Sequence, residues 1–183
     1  MYNDTLTTIR EIKKTINCKP FHTQLTGLYK ERGVCDTVAV YLELARPQSY
    51  GPKMENLFIS EKQFSRVSSQ DDRGDFVTKV GKYGEYKFTY SPEEKKFSYN
   101  FVQIRPWQKL DGYVFEVYSD LCGFVRFCIP KDKMTILLER YGNLAHGTKK
   151  TNKNSKKEYA LRGNIGDKLW KDMVSFDQPN LFS

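Results

Sequence analysis

A chain of 183 residues, 39% hydrophobic and 28% charged, is long enough for one domain with a full core. No run of 18 apolar residues occurs and the start, MYNDTLTTIREIKK, lacks a signal-peptide core, so a membrane or secreted protein is not expected and a cytoplasmic one is. The net charge of +8 is unevenly placed: residues 131–171 carry 11 Lys and Arg against 4 Asp and Glu, while the rest is nearly balanced at 19 against 18.

In chain order, residues 5–16 place Leu6, Ile9, Ile12 and Ile16 at helical spacing. Residues 34–45 form a second apolar helix, ended by Arg46-Pro47 and the turn-prone Gln48-Ser49-Tyr50-Gly51. Residues 57–67 read as a third, with Ser60 as N-cap and Gln63 completing a capping box. After Asp71-Asp72-Arg73-Gly74 the pattern turns to strands. Residues 75–80 and 83–90 make a hairpin through Gly81, 91–96 a polar turn, and 97–105, 113–118 and 124–129 further strands rich in Phe, Tyr, Val and Ile, the last closed by Pro130. Residues 131–141 form a helix with Met134, Leu137, Leu138 and Tyr141 on one stripe and Gly142-Asn143 as its stop. A lysine-rich loop (148–157), a short strand (158–161) and a final helix (165–173) follow. Helices, then five strands, then helices describe an α/β or α+β domain with a mostly antiparallel meander at its centre. One domain in three parts is expected: helical 1–70, strand-rich 71–130 and basic 131–183.

The basic last third favours a polyanionic partner, because each cation set against a phosphate releases counterions. Lys149, Lys150, Lys153, Lys156 and Lys157 are the candidate DNA contacts, a solvated loop being the competing reading. Cys18, Cys35, Cys122 and Cys128 have no C-x-x-C spacing, and His22 and His146 are the only histidines. A zinc site is therefore not expected, and four buried free thiols are. Both histidines fall in loop-like contexts away from the strands, which also disfavours a histidine-based hydrolase.

Hydrolysis of a phosphodiester needs an activated water and a clamp for charge on the phosphoryl oxygens, and a divalent metal supplies both. Mg²⁺ takes one or two carboxylates plus phosphate and water oxygens, and a lysine beside it stabilises the charged transition state. Glu85-Tyr86-Lys87 offers a carboxylate and a lysine on one strand face with Thr89, leaving Tyr86, Phe88 and Tyr90 to turn into the core. A hairpin through Gly81 would bring Asp75 beside Glu85. Glu-x-Lys also occurs at Glu11/Lys13, Glu93/Lys95 and Glu94/Lys96, but only Glu85/Lys87 has a strand context. A surface cross-strand ion pair is the competing reading.

Gly74-Asp75, Gly84-Glu85-Tyr86-Lys87, the segment Tyr99-Asn100-Phe101-Val102-Gln103-Ile104-Arg105-Pro106-Trp107-Gln108 and Asp111-Gly112-Tyr113 together resemble the PD-(D/E)xK restriction endonuclease superfamily, type II enzymes in particular. The likeness covers residues 70–130. It implies a restriction-endonuclease-like core, a central mixed sheet of about five strands flanked by helices. It also implies a Mg²⁺ site at Asp75 and Glu85, catalysis by Asp75, Glu85, Lys87 and Gln103, and Arg105 near a phosphate. An extra carboxylate from an upstream helix is a further implication, for which Glu55 and Glu61 are the candidates, a solvated helix face being the alternative for each. The first motif departs from the family pattern, reading Gly-Asp in place of Pro-Asp. Gln103 and Arg105 would face the Glu85/Lys87 side, with Val102 and Ile104 turned to the core, and Trp107 reads as a packed aromatic. The partners expected are double-stranded DNA and, given the size and the lack of a base-reading module, a larger recognition subunit. The chain would then be the small cleavage subunit of a heterodimeric type IIS enzyme in a prokaryotic cell. A homodimer that reads its own site and a non-catalytic nucleic-acid-binding protein are the alternatives.

Overall fold

The computed structural model describes residues 47–68, 70–91, 95–119, 122–144 and 157–183. The helices expected at 5–16 and 34–45, both histidines, Cys18, Cys35 and Lys149, Lys150, Lys153 and Lys156 lie outside them. The chain divides into two units, Met1–Pro52 and Lys53–Ser183, and apart from the start of the first helix the fold and site below belong to the second.

The first described helix, α1, spans Pro47–Lys62. It takes in the stretch 48–51 that reads as a turn and stops before the stretch 63–67 that reads as helix. Proline suits a first helical position, where no N–H is needed. Further along, Met54, Phe58 and Ile59 are buried, and this packing outweighs the poor helix propensity of Gly51 and Pro52. Ser60 is therefore inside the helix rather than at its cap, and the chain breaks at Gln63, which has a φ of 54°. It continues into strand β1, Ser65–Arg66.

Four more strands complete the larger sheet: β2 (Phe76–Val77), β3 (Tyr83–Ser91), β5 (Gly112–Ser119) and β6 (Gly123–Pro130). The order is β1-β2-β3-β5-β6. Strands β3 and β5 run parallel with Glu85 opposite Tyr113 and Lys87 opposite Phe115, while the other pairs are antiparallel. The sheet is thus mixed rather than an antiparallel meander. The intervening strand β4 (Ser98–Ile104) leaves it to pair antiparallel with β8 (Tyr159–Asn164), which also pairs with β7 (Asn143–Leu144). Removing β4 supplies the crossover that two parallel neighbours require.

Strand alternation and register put Glu85, Lys87 and Thr89 on the same face as Tyr113, Phe115, Val117, Phe127 and Ile129. That face is not an open polar front. It carries the main core, shared with Tyr99, Phe101 and Ile104 of β4, Leu161 of β8 and two helices, α2 (Lys131–Tyr141) and α3 (Lys168–Phe176). Phe101 meets Phe115 at a ring separation of 4.6 Å. The reverse face receives α1, where Phe58 stacks on Tyr86 at 5.0 Å.

Helix α2 has the expected bounds, with Met134, Leu137 and Leu138 buried. Gly142 stops it with φ −67°, so the glycine is there for clearance: a Cβ would lie 2.4 Å from the Leu138 carbonyl oxygen. Helix α3 starts at Lys168, three residues later than the periodicity indicates, because the Asp167 side chain caps Trp170 N–H at 2.7 Å. Cys128 is buried as expected but Cys122, in the turn before β6, is exposed. No described helix is long and apolar enough to cross a membrane.

Candidate active site

The hairpin expected through Gly81 forms: that glycine adopts φ +83°, and Phe76 and Val77 pair with Gly84 and Tyr83. The β2 ladder is only two residues long, so past Gly84 the edge of β3 on this side is not paired by β2. Asp75 takes over there. Its N–H donates to the Gly84 carbonyl at 2.8 Å, and its Oδ2 accepts from Tyr86 N–H at 2.9 Å, prolonging the ladder by a side chain. Gly74 makes this approach possible. It holds φ +97°, and a Cβ there would sit 2.5 Å from the Gly84 oxygen. A proline at this position would be locked near φ −65° and could not make the same approach.

Glu85 projects from β3 beneath the second sheet and is 1% exposed. The Lys87 ammonium lies 2.5 Å from its Oε1, an ionic contact with a side chain 16% exposed. Oε1 is thus engaged by the lysine, while the buried Oε2 has no hydrogen-bond partner among the described residues. Burial, reinforced by the neighbouring Glu85 charge, raises the Asp75 carboxyl above its usual range.

Of the two upstream acids, Glu55 is the one brought to this cluster. Burial, then the Asp75 charge, push its carboxyl up to about 7, with Arg66 and Lys87 opposing and Glu85 adding to the rise. Glu55 is ion-paired with Arg66, whose guanidinium also donates to Asn56 Oδ1 and is 52% exposed. Glu61, one and a half turns further along α1, stands apart. It is exposed and lies 3.5 Å from Arg126, which is 3.1 Å from buried Glu116; Glu116 in turn accepts a 3.0 Å hydrogen bond from Tyr86 Oη. That network anchors α1 and β3 from behind.

The β4 residues behave differently from a regular strand. A register irregularity between Phe101 and Ile104 turns both Val102 and Gln103 outward, with Gln103 at φ 56° and Val102 41% exposed. Val102 therefore does not join Ile104 in the core, and Gln103 lies on an exposed bulge of the second sheet rather than in the sheet that carries Lys87. Arg105 follows at once, bonded through Nε to Glu158 Oε1 at 2.8 Å. Burial works to lower its guanidinium pKa, but the Glu158 hydrogen bond and the charges of Glu158, Glu85 and Asp75 raise it on balance. Tyr113, opposite Glu85 in the register, donates to the Arg105 carbonyl at 3.1 Å. Trp107 is half-buried and Lys157 is exposed. Three contributors were not singled out from the sequence: Arg66, Glu158 and the Tyr113 hydroxyl. Tyr113 sits in the Asp111-Gly112-Tyr113 segment, whereas no local pattern marks the other two.

No group of three or more His, Cys, Asp and Glu side chains among the described residues is arranged as a metal cage. Asp75 and Glu85 instead form a two-carboxylate set with hard oxygen donors, the kind Mg²⁺ uses when phosphate and water complete its shell. The Glu85 Oε2, buried and without a hydrogen-bond partner among the described residues, fits such an ion, since a buried polar atom left unsatisfied is costly. No protein-family model matches the chain. A search of curated proteins likewise gives no match.

Proposed function

We propose that this chain is a Mg²⁺-dependent endonuclease of the restriction type, hydrolysing phosphodiester bonds of double-stranded DNA. The observation that carries the reading is the buried Glu85 carboxylate, held by Lys87 through Oε1, with Oε2 lacking a hydrogen-bond donor among the described residues and the Asp75 carboxyl near enough to feel its charge, where β2 releases the edge of β3. Asp75 and Glu85 would hold the ion, which supplies Lewis-acid stabilisation of the phosphoryl oxygens and acidifies the attacking water. Lys87 places a positive charge against the same site, where it stabilises developing negative charge. Tyr86 N–H fixes the Asp75 carboxylate, and Arg105, held by Glu158, adds a half-exposed cation that a phosphate can approach. Lys157 and the lysine run before it contribute the longer-range attraction to DNA.

The preferred arrangement is a small cleavage subunit that cuts one strand while a larger subunit reads the site. A homodimer is the alternative. A non-catalytic binding sheet is disfavoured by burial: Tyr99, Phe101, Tyr113 and Phe115 are inside and cannot stack bases. The test is incubation of the purified chain with plasmid DNA and Mg²⁺, alone and with a sequence-reading partner subunit. Glu85→Ala and Lys87→Ala should each abolish cleavage while retaining DNA binding. If both variants cut like the parent, this site is not the nuclease centre.

A further inference from the structure

The segment after α3 crosses the central sheet and reaches β3, which carries Glu85, and β2, which begins right after Asp75. It is tied first to β6, where Asp177 Oδ1 accepts from Cys128 N–H at 2.6 Å and Gln178 N–H donates to the Cys128 carbonyl at 2.8 Å. It then passes over β5 and β3 at a rung where both strands have glycine, since Gly84 and Gly112 are register partners. A Cβ on Gly112 would lie 2.6 Å from Leu181 Cδ2, and one on Gly84 would lie 2.8 Å from Phe182 Cζ. The two glycines clear a track, and Leu181 and Phe182 fill it. Lys82 Nζ closes it by donating to the Leu181 carbonyl at 2.7 Å.

Phe182 is buried at the end of this track, its ring 5.0 Å from that of Phe76 and nearly perpendicular to it. Phe76 follows Asp75 in the chain and Gly84 precedes Glu85. One ring therefore bears on the immediate neighbours of both carboxylates, at the last rung where β2 and β3 pair.

We propose that residues 177–183 are a positioning element of the candidate site and that Phe182 sets the placement of Asp75 relative to Glu85. Without the ring, a void opens under the Phe76–Gly84 pair, and the strands can shift by the amount that separates a productive carboxylate pair from an unproductive one. The residue acts through its neighbours, and losses of supporting residues at metal sites run at about 10–100-fold in metal affinity or activity. The catalytic part of this inference rests on the nuclease reading, whereas the positioning part does not.

Amide exchange in metal-free protein is the direct test, because Tyr86 N–H is bonded to Asp75 Oδ2 and reports their separation. Phe182→Ala should exchange this amide about tenfold faster relative to the amides of β8, with Phe182→Leu restoring most of the protection. Lys82→Met, which removes only the tether to Leu181, should produce a smaller change of the same kind and serves if the alanine variant does not fold. In cleavage assays Phe182→Ala should raise the Mg²⁺ needed for half-maximal rate about tenfold and leave the KM for DNA unchanged. If Tyr86 and β8 amides respond alike in these variants, whether unchanged or uniformly faster, the segment is only a contributor to stability and the proposal fails. If the parent protein does not cleave DNA, the nuclease reading fails while the exchange comparison still decides the positioning role.

Discussion

Gly74 offers the sharpest test of how the acidic cluster is built. Its φ of +97° is a conformation that L side chains resist, at about 1–2 kcal/mol. The Cβ of an alanine would sit 2.5 Å from the Gly84 oxygen and 2.8 Å from its carbon, both backbone atoms inside a paired hairpin. Relieving that overlap costs about another 1–3 kcal/mol. It also strains the 2.8 Å hydrogen bond from Asp75 N–H to the same oxygen, which contributes about 1 kcal/mol. Gly74→Ala should therefore destabilise the protein by about 3–6 kcal/mol. For a chain of 183 residues, this lowers the melting temperature by about 10 °C. Gly74→Pro should be worse, because proline cannot reach a positive φ. Thermal melts and urea titrations of both variants, read beside Mg²⁺-dependent cleavage, check this. An alanine variant within 1 °C of the parent, or a proline variant that folds and cuts normally, would refute the account of the Gly-Asp motif.

Three further outcomes are expected. Tyr86→Phe removes the hydroxyl that donates to buried Glu116 and should cost about 1.5–3 kcal/mol in urea titration while leaving the Mg²⁺ dependence of cleavage intact, since the ring lies behind the site. Folding raises the Glu55 pKa from 4.5 to about 7, so the unfolded chain loses this proton first, and the group opposes folding as pH rises through that window and beyond it. In metal-free protein Glu55→Gln should thus be more stable than the parent at pH 8, by on the order of 1–2 kcal/mol after allowing for solvent screening, and no more stable at pH 4. A stability difference independent of pH would count against the buried placement of Glu55. Alkylation at pH 8 followed by peptide mapping should label the exposed Cys122 and spare Cys128, whose thiol burial pushes up to about 11. Equal labelling of the two in the folded state would contradict the burial of β6.

Much of the local structure was legible beforehand because it depends on near neighbours. Helix α2 follows from the stripe Met134, Leu137, Leu138 and a stopping glycine, and the β2–β3 hairpin from Gly81 between two β-prone runs. The shared face of Glu85 and Lys87 follows from the two-residue period of any strand, and the approach of Asp75 from the shortness of the hairpin. The boundaries of α1 were misread, since burial of Met54, Phe58 and Ile59 against the sheet overrode Gly51 and Pro52. Gln103 was misread for a related reason. Alternation assigns a side to every residue, but a bulge interrupts it, and only the pairing of β4 with β8 reveals one.

The sequence by itself determined which residues offer a carboxylate or a cation for such chemistry, and that Glu85 and Lys87 sit on one side of a strand. Tertiary structure decided everything that depends on pairing between distant segments. It made β3 and β5 parallel, moved β4 into a second sheet over Glu85, and chose Glu55 over Glu61 as the acid that meets the cluster. It also laid Leu181 and Phe182 across Gly112 and Gly84, residues far from them in the chain. Periodicity along the chain carries no information about such partners, because strand register and crossover are settled by the free energy of burying surfaces against each other. The burial that seals Glu85 beneath the second sheet is of this kind, and it makes an ordinary glutamate a candidate for chemistry.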